Sequence, residues 1–389
     1  MSSTIPSWPS DAEISSRISR LRDNMAGAAI EALVLTSRHN FEYYTGFRSL
    51  YWISDARPML AIVRRDQPGV SILISRIEQR NARQIRNADV RPVYYDGFTD
   101  SALQAAATFL HGLPGGSAIG FDYGFDMFGR GSVMLIDLLR AAPHQFRPVD
   151  AADLIWRQRL IKSEHEFQSI RAACNVATDS FFDGLAGLRP GVSEYEFGQL
   201  LEQRMIGRGA DSVEWLPVRF GRGDFSYTRP NADIRLQKDD FVWVDMGVRR
   251  ADAVSDLNRV AKAGKATPEQ EKLYEVVRST TLRLAEGIRP GMTGDDAFAL
   301  YAELWSARNF SDFPLSGRVG HGSGSGLTEP PSLLAGSTDI IQEDTVLHVE
   351  PKLEAAGGVF QVEEVFRVTT GGPEFLSTIA PAKLPVIEV

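Results

Sequence analysis

The sequence is poor in cysteine and has no long apolar segment. Cys174 is the only cysteine among the 389 residues, so no disulfide framework can be built within the chain. No apolar run approaches the roughly 18 residues that cross a bilayer, so membrane insertion is not expected. The first residues, MSSTIPSWPSDAE, lack the basic-then-apolar order of a secretory signal. These absences predict a cytoplasmic protein in which Cys174 packs inside a helix rather than acting as a nucleophile.

The chain also lacks a dense cluster of basic residues. Its net charge is −8, and no Lys/Arg stretch could follow a phosphate backbone, so nucleic acid is not expected as a partner. The composition, 43% hydrophobic and 24% charged, is that of an ordinary globular protein. Because 389 residues exceed the size at which one core usually stops growing, two domains are expected.

Two types of pattern divide the chain. Residues 1–158 alternate β-type runs with helical patterns, which is typical of an α/β domain. The β-type runs are ALVLT, MLAIVRR, VSILIS, VRPVYY and AIGFDYG, and the helical patterns are IEQRNARQIRN, SALQAAATFLHGL and SVMLIDLLRAA. A long amphipathic helix is predicted at the start of the second domain, residues 159–389.

The second domain contains an internal repeat. LRPGVSEYEF at 188 and IRPGMTGDDAF at 288 both contain Arg-Pro-Gly followed by a capping box that opens a helix. LQKDDFVWVDMG at 236 and IQEDTVLHVEPK at 341 are strand patterns preceded by an acidic turn. Sequence repeats of this kind predict two similar halves related by an approximate twofold axis.

The repeat predicts a group of four carboxylates. It aligns Asp245 with Glu350 at the ends of two buried strands, and each half adds a second acid, Asp256 or Glu363. Carboxylates that converge in an interior repel one another, so they require cations, and two divalent ions would supply the charge. His321, between glycines in RVGHGSGSGLTEPP, is the candidate imidazole ligand. Oxygen ligands with one imidazole suit manganese, cobalt, zinc or iron.

The motifs resemble those of a known family. Asp-x10-Asp, Gly-His-Gly, Val-Glu-Pro and a final Glu-Glu before a β-type run are similar to the metallopeptidases that include methionine aminopeptidase, prolidase, aminopeptidase P and creatinase. SRHNFEYYTGF (37–47) resembles a strand and turn of the N-terminal domain in the prolidase/creatinase branch, and RLIKSEHEFQSIRAA resembles the entry helix of the catalytic domain. The implied fold is a smaller α/β N-terminal domain followed by a "pita-bread" catalytic domain with the pseudo-twofold repeat.

The resemblance also implies roles for the five candidate ligands. Asp245 would bind the first metal through both oxygens, Asp256 and Glu363 would bridge two metals, and His321 and Glu350 would complete opposite ends. Glu363 is preferred to Glu364 because it lies six residues before Thr369, as in the family pattern. The implied cofactor is a pair of divalent ions, most often manganese. Glu350 would be the general base beside a metal-activated water. A homodimer is implied by the resemblance alone.

The sequence departs from the family pattern at three positions. Thr228 and Thr328 stand where the peptidases carry substrate-holding histidines, and Gly317 stands where proline-specific members carry a third. Threonine donates a hydrogen bond but cannot carry a positive charge or relay a proton near pH 7. Tyr227, Thr228, Arg229 and Thr328 are candidate substrate-binding residues. His348, two residues before Glu350 in a predicted strand, is either a partner of the site or a packing residue. Tyr51 and Trp52 either cover the pocket or, as is more usual for aromatic residues, pack in a core.

Three functions remain open on these grounds. The first is a metal-dependent hydrolase resembling an Xaa-Pro dipeptidase or aminopeptidase, acting on a dipeptide or another small C–N bonded molecule. The second is a non-peptidase member of the family, similar to dimethylsulfoniopropionate lyase or to the amidinohydrolase creatinase. The third is a protein-binding module without catalysis, which the presence of all five ligands makes the least favoured.

Overall fold

The computed structural model describes residues 8–54, 56–124, 132–141, 143, 145–223, 225–308 and 317–388. They form two compact units, Trp8–Arg159 and Leu160–Val389. None of the helices in the described ranges is both long and apolar enough to cross a membrane.

The N-terminal unit is a mixed six-stranded sheet with helices. Its strands run in the order β4-β3-β2-β1-β5-β6, where β1 is antiparallel to β2, β2 to β3, and the other neighbours are parallel. The strands are β1 (Ala32–Leu35), β2 (Leu60–Arg64), β3 (Val70–Ser75), β4 (Val90–Tyr95), β5 (Ala118–Phe121) and β6 (Arg147–Asp150). The α-helices are α1 (Asp11–Gly27), α2 (Arg38–Thr45), α3 (Gln79–Ala82), α4 (Thr99–Leu110), α5 (Ser132–Arg140) and α6 (Ala152–Arg159), and Leu50–Ile53 and Arg76–Glu78 are 3-10 turns.

Apolar side chains cover both faces of this sheet. On β1, Leu33 and Leu35 belong to one buried cluster, and the alternating Ala32 and Val34 belong to another. A strand buried on both sides requires an unbroken apolar run, which explains ALVL. Trp52 packs edge-on against a core phenylalanine with ring centroids 5.3 Å apart, as expected for a core aromatic. The predicted α/β domain is confirmed.

One segment of this unit differs from the prediction. Residues 37–47 do not form a strand and turn, because 38–45 are the helix α2. The Ser37 side chain accepts a hydrogen bond from the Asn40 backbone N–H and caps the helix, and Gly46 ends it with φ of 63°. A serine cap and a left-handed glycine are the usual signals of a short helix, and here they outweigh the aromatic, β-type residues between them.

A second difference concerns the helix predicted over 77–87. The α-helix there is only α3, which is preceded by a 3-10 turn and ends at Ala82. Arg80, Arg83 and Arg86 recur at three-residue spacing, so a longer helix would align three like charges along one face.

In the described residues, the C-terminal unit combines mainly antiparallel sheets with four long helices, and β20 is parallel to β12. The helices are α7 (Glu164–Gly187), α8 (Glu194–Gly207), α9 (Pro268–Gly287) and α10 (Gly294–Ser306). The strands are β7 (Ser212–Trp215), β8 (Val218–Gly221), β9 (Phe241–Asp245), β10 (Gly247–Arg250), β11 (Ala253–Val254), β12 (Asn258–Ala263), β13 (Arg318–Gly322), β14 (Glu329–Leu334), β15 (Val346–Val349), β16 (Lys352–Ala355), β17 (Gly358–Gln361), β18 (Glu364–Thr369), β19 (Gly372–Phe375) and β20 (Val386–Ile387). The two largest sheets are β20-β12-β9-β8 and β14-β13-β15-β18-β19.

The repeat is visible at the helix starts. Ser193 caps α8 in a capping box with Glu196, and Thr293 caps α10 in a capping box with Asp296. Each cap satisfies backbone N–H groups that the first helical turn leaves free, so both halves begin their second helix in the same way. The predicted capping boxes are confirmed.

The repeat is equally clear at the turns. Asp239 and Asp344 precede β9 and β15 with φ of 72° and 66°, and Ala251 and Ala356 have φ of 52° and 49°. Both pairs have the 105-residue offset of the strand repeat. Left-handed backbone is uncommon outside glycine, so its recurrence at equivalent positions indicates that the two halves share one backbone path.

Strand β9 lies between two cores. Val242 and Val244 pack in the cluster that contains residues of α7 and α8, whereas Phe241 and Trp243 pack in the cluster that contains residues of α9 and α10. The apolar run therefore ends at Asp245 with no solvent on either side of the strand. Cys174 is fully buried on α7, and burial raises the pKa of its thiol, which suits a packing role.

Candidate metal centre

Asp245, the last residue of β9, has only one of its carboxylate oxygens hydrogen-bonded. Trp215 Nε1–H donates to Asp245 Oδ2 over 3.0 Å. Oδ1 is buried and has no hydrogen-bond partner among the described residues. The residue is 5% exposed, and burial raises the pKa of its carboxyl group. A buried acceptor without a donor is costly, so this oxygen indicates a missing partner.

Asp256 follows β11 and has the same deficiency. Its Oδ1 is buried without a partner in the described part of the chain, and its Oδ2 lies 3.5 Å from His321 Nε2. Burial raises the pKa of Asp256 well above its usual value, and the charges of Asp245 and Glu363 add to that rise. These carboxyls cannot all be ionised together without a cation.

His321 lies on β13 with its Nε2 directed at the acids. This nitrogen is 3.5 Å from Asp256 Oδ2 and 3.7 Å from Glu350 Oε1. Its Nδ1 donates to the Gly322 carbonyl over 2.9 Å, and burial lowers the pKa of the imidazole to about 3. The ring is therefore neutral with the Nε2 lone pair free, which is the form that binds metals.

The glycines on either side of His321 are required by packing. A Cβ on Gly320 would collide with the carbonyl of His348, and a Cβ on Gly322 would collide with the carbonyl of Pro330. Both neighbouring strands thus approach the histidine more closely than any side chain would allow.

Glu350 directly follows β15 and is oriented by a glutamine. Gln361 Nε2 donates to Glu350 Oε2 over 3.2 Å, and Gln361 Oε1 accepts from Trp243 Nε1 over 2.8 Å. Arg318 Nη2 lies 3.8 Å from Glu350 Oε1 but is 38% exposed. Burial and the charge of Asp245 raise the pKa of Glu350 to about 7.

Glu363 immediately precedes β18 and has donors on both oxygens. His348 Nδ1 lies 2.8 Å from Oε1, and the Asn258 backbone N–H donates to Oε2 over 2.8 Å. Burial and the charge of Glu350 raise the pKa of Glu363 well above its usual value. The side chain is 1% exposed, so its orientation is fixed.

These residues form one cluster, which is buried except for the half-buried Glu350, whose Oε1 lies 3.7 Å from His321 Nε2. Ligand atoms of Asp245, Asp256 and Glu363 lie within 4.8 Å of one another, as do those of His321, His348 and Glu363. Like charges at about 4 Å repel by several kcal/mol at an effective dielectric near 20, so the acids need a cation. Two unpaired carboxylate oxygens and a free imidazole nitrogen are the donors that divalent metals with oxygen and nitrogen preference bind. The residues present fit such ions.

The candidate substrate residues have different positions. Tyr227 is 52% exposed, and its ring contacts Trp215 and Trp243 with centroid distances of 5.8 and 5.3 Å. Partial burial raises the pKa of its phenol and the charges of Glu350 and Asp245 add to that rise, so its hydroxyl lies within the field of the acids. The other three are the exposed Thr228 and Arg229 and the half-buried Thr328.

Sequence reasoning missed several residues that touch the cluster. Trp215, Asn258, Gln361 and Ser323 were not singled out, although each makes or supports a hydrogen bond there. Trp215 lies 30 residues from Asp245 with no motif that connects them. Gln361 could have been found, because the 105-residue offset places it opposite Asp256.

Comparisons with known proteins match both parts of the chain to known families. The model of metallopeptidase family M24 matches residues 168–370, and that of the creatinase/prolidase N-terminal domain matches residues 17–161. The uncharacterized peptidase YqhT of Bacillus subtilis is 26% identical over 374 residues, which are 95% of this chain and 100% of YqhT.

Two further relatives are named for their activity. The Xaa-Pro dipeptidase of Pyrococcus furiosus is 25% identical over 60% of this chain and 67% of its own length. The crystal structure of dipeptidase PepE from Mycobacterium ulcerans shares the fold with a TM-score of 0.82 and 21% identity, covering 98% of this chain and 100% of PepE. The family match spans more than half of the 389 residues. The chain belongs to metallopeptidase family M24, in the prolidase/creatinase branch, and is a metallohydrolase.

Proposed function

We propose that this chain hydrolyses a C–N bond in a small molecule, with an Xaa-Pro dipeptide or a similar dipeptide as its substrate class. The observation that carries the proposal is the buried cluster of four carboxyl groups and one neutral imidazole. Asp245 Oδ1 and Asp256 Oδ1, which have no hydrogen-bond partner within the described part of the chain, support a cation site. Relatives named as peptidases and dipeptidases support the substrate class.

The site would hold two divalent ions, manganese foremost and otherwise cobalt, zinc or iron. The ligands would be Asp245, Asp256, His321, Glu350 and Glu363. Four carboxylates balance the charge of two divalent ions, and the oxygen-rich set matches the preference of manganese. When bound, the ions would lower the pKa of a water molecule and polarise the carbonyl group that it attacks.

Glu350 would transfer protons in this reaction. A carboxylate that takes a proton from the attacking water can return it to the leaving nitrogen, which is general base and then general acid catalysis. Gln361 holds one oxygen of Glu350 through a 3.2 Å hydrogen bond, so the carboxylate keeps one orientation. This restricted orientation favours proton transfer along a single direction.

The substrate would bind on the side of Tyr227. Its exposed ring lies on Trp215, which is itself hydrogen-bonded to Asp245, so a ligand on this surface is near the proposed ions. Thr228 and Thr328 would donate hydrogen bonds to the substrate carbonyl, and the Arg229 guanidinium would pair with a carboxylate.

A second function is favoured by a specific observation. Thr228 and Thr328 occupy the two positions at which the family's peptidases carry histidine. Loss of an oxyanion donor typically raises a barrier by about 3 kcal/mol, so this chain would be a slow peptidase. The alternative is a non-peptidase substrate, such as a guanidino compound or a sulfonium acid, on the same metal site.

A substrate screen separates these functions. Purified chain loaded with manganese is assayed with Xaa-Pro dipeptides, creatine-like guanidines and sulfonium acids, and Asp256→Ala serves as the metal-site control. Turnover of dipeptides that Asp256→Ala loses supports the dipeptidase. Activity only on another class replaces it with the alternative function. A chain that binds no divalent metal and turns over no substrate supports a protein-binding module.

Two properties of the whole protein belong to the same proposal. We expect it to be cytoplasmic and to be a homodimer, of which the family resemblance implies the dimer. Size-exclusion chromatography with light scattering on the full chain tests the dimer, for which a monomeric mass of 42.9 kDa would be the contrary result.

A further inference from the structure

A buried hydrogen-bonded chain runs through His348 to Glu363. Ser323 Oγ lies 2.6 Å from His348 Nε2, and His348 Nδ1 lies 2.8 Å from Glu363 Oε1. Ser323 and His348 are fully buried, and Glu363 is 1% exposed. Water therefore cannot replace any of the three partners without rearranging the core.

The chemistry of the partners fixes the direction of this chain. With the proposed ions bound, Glu363 is ionised, so both of its oxygens accept hydrogen bonds and it has no proton to donate. His348 Nδ1 therefore carries the proton and donates it to Oε1, while Nε2 accepts from the Ser323 hydroxyl. The second oxygen, Oε2, accepts from the Asn258 backbone N–H. Both oxygens of Glu363 are thus held by donors from different strands.

Neither nitrogen of His348 is free to bind a metal. Nδ1 is engaged by Glu363 and Nε2 by Ser323, whereas His321 keeps its Nε2 free. The two rings lie on paired strands and stack with centroids 4.8 Å apart and planes within 8°. The stacked His348 ring also limits rotation of His321.

The equivalent position in the other half has a comparable role. Trp243 lies 105 residues before His348, and its Nε1–H donates to Gln361 Oε1 over 2.8 Å. Gln361 in turn donates to Glu350. In both halves, the ring N–H of the residue two positions before the strand-end acid, Asp245 or Glu350, therefore donates to a side chain of the site.

We propose that His348 is a positioning residue that, through its Nδ1–H and with Ser323 behind it, fixes the Glu363 carboxylate in the orientation required to bind the metal ions. This inference rests on the proposed function. It assigns to His348 a role toward the ions that is exerted only through Glu363. Outer partners of metal ligands typically contribute about 10- to 100-fold to metal affinity.

Three variants of the full chain test the role. His348→Phe keeps a ring to stack on His321 but has no donor. His348→Asn retains an amide N–H near the place of Nδ1. Ser323→Ala removes the hydroxyl behind the ring. Manganese affinity and stoichiometry are measured by calorimetry on metal-free protein, and cobalt-loaded samples are compared by visible absorption.

We expect His348→Phe to lose about 10- to 100-fold in affinity for at least one ion and to change the cobalt spectrum. His348→Asn should stay within about threefold of the wild type, and Ser323→Ala should fall between the two. Wild-type affinity and spectrum in His348→Phe overturn the proposal. An equal loss in His348→Asn and His348→Phe also overturns it, because the ring would then act by packing alone.

A measurement on the unaltered protein covers the case in which His348→Phe does not fold. Nitrogen-15 histidine NMR of the zinc-loaded chain reports which nitrogen of His348 carries the proton. A proton on Nδ1 supports the proposal, and a proton on Nε2 overturns it. Failure of the wild type to bind any divalent metal would instead contradict the proposed function itself.

Discussion

Asn258 donates its backbone N–H to Glu363 Oε2, and these two residues are equivalent positions of the repeat, 105 residues apart. The same offset relates Asp256 to Gln361, which donates to Glu350. In each equivalent pair, one half carries an acid and the other an amide side chain. The two halves therefore both contribute to the site but differ in sequence there. In the second pair, the amide of Gln361 orients the carboxylate of Glu350.

Removing one carboxylate should abolish metal binding. For Asp256→Asn we expect no rise in Tm with manganese and activity at background. At a manganese concentration one hundred times its Kd, the wild type gains about 2.7 kcal/mol in free energy of unfolding, which corresponds to about 5–10 °C in Tm for a unit of this size. Differential scanning calorimetry measures the Tm of the variant and of the wild type with and without manganese, and the substrate assay measures activity.

The metal-free variant should be more stable than the metal-free wild type, because one source of like-charge repulsion is gone. Asp179→Asn, the same change at an exposed position of α7, serves as the control and should behave as the wild type. Uptake of two manganese equivalents by Asp256→Asn would refute the assigned ligand.

The stabilising effect of manganese should grow with pH. The pKa of Glu350 rises from 4.5 to about 7 in the metal-free fold, so between these values the folded state holds a proton that the unfolded state has released. Metal-free stability therefore falls as pH rises through this window. Metal binding needs the ionised carboxylate and releases that proton. The manganese-induced rise in Tm should be larger at pH 7.5 than at pH 5.5, and a rise that is the same at both would count against a raised pKa at the site.

Trp215 should matter through its N–H rather than its ring. Trp215→Phe keeps an aromatic surface beneath Tyr227 but removes the 3.0 Å hydrogen bond to Asp245. Donors that hold a metal-binding carboxylate in this way typically contribute 10- to 100-fold to metal affinity, so we expect a loss of about tenfold by calorimetry. Trp305→Phe, the same change in the α10 core, should leave the affinity unaltered. Equal affinities in all three proteins would show that the donor is dispensable.

Restoring the missing imidazoles should increase peptide hydrolysis. The double change Thr228→His and Thr328→His introduces the histidine donors that the family's peptidases carry at these positions. One such donor typically contributes about 100-fold or more to kcat. Steady-state assays with an Xaa-Pro dipeptide measure the gain, and Thr228→Asn with Thr328→Asn supplies donors that do not titrate. An unchanged rate in a fully metal-loaded double variant would mean that these positions do not face the substrate.

The pattern of the sequence was sufficient to predict the strands that carry the acids. Asp245 and Glu350 were predictable because a buried apolar run ending in a carboxylate recurs at a fixed offset. Short elements were harder, since α2 depends on one serine cap and one left-handed glycine among β-type residues. Local propensity and tertiary context compete most evenly in such segments.

Apart from Gln361, which the repeat offset marks, the partners of the acids could not be predicted from the sequence. Trp215 and Ser323 reach the cluster through strand register and close glycine packing, which no spacing motif records. His348 was recognised as facing the site, but whether it packed or donated depended on the position of Glu363. Side-chain hydrogen bonds between distant strands are set by three-dimensional geometry, so only coordinates could identify them.

The most direct test is a crystal structure of the manganese-soaked full chain with anomalous difference density recorded at the manganese edge. Two peaks are predicted, enclosed by the side chains of Asp245, Asp256, His321, Glu350 and Glu363. Absence of peaks among these five side chains at full manganese loading, or peaks coordinated by other residues, would contradict the account.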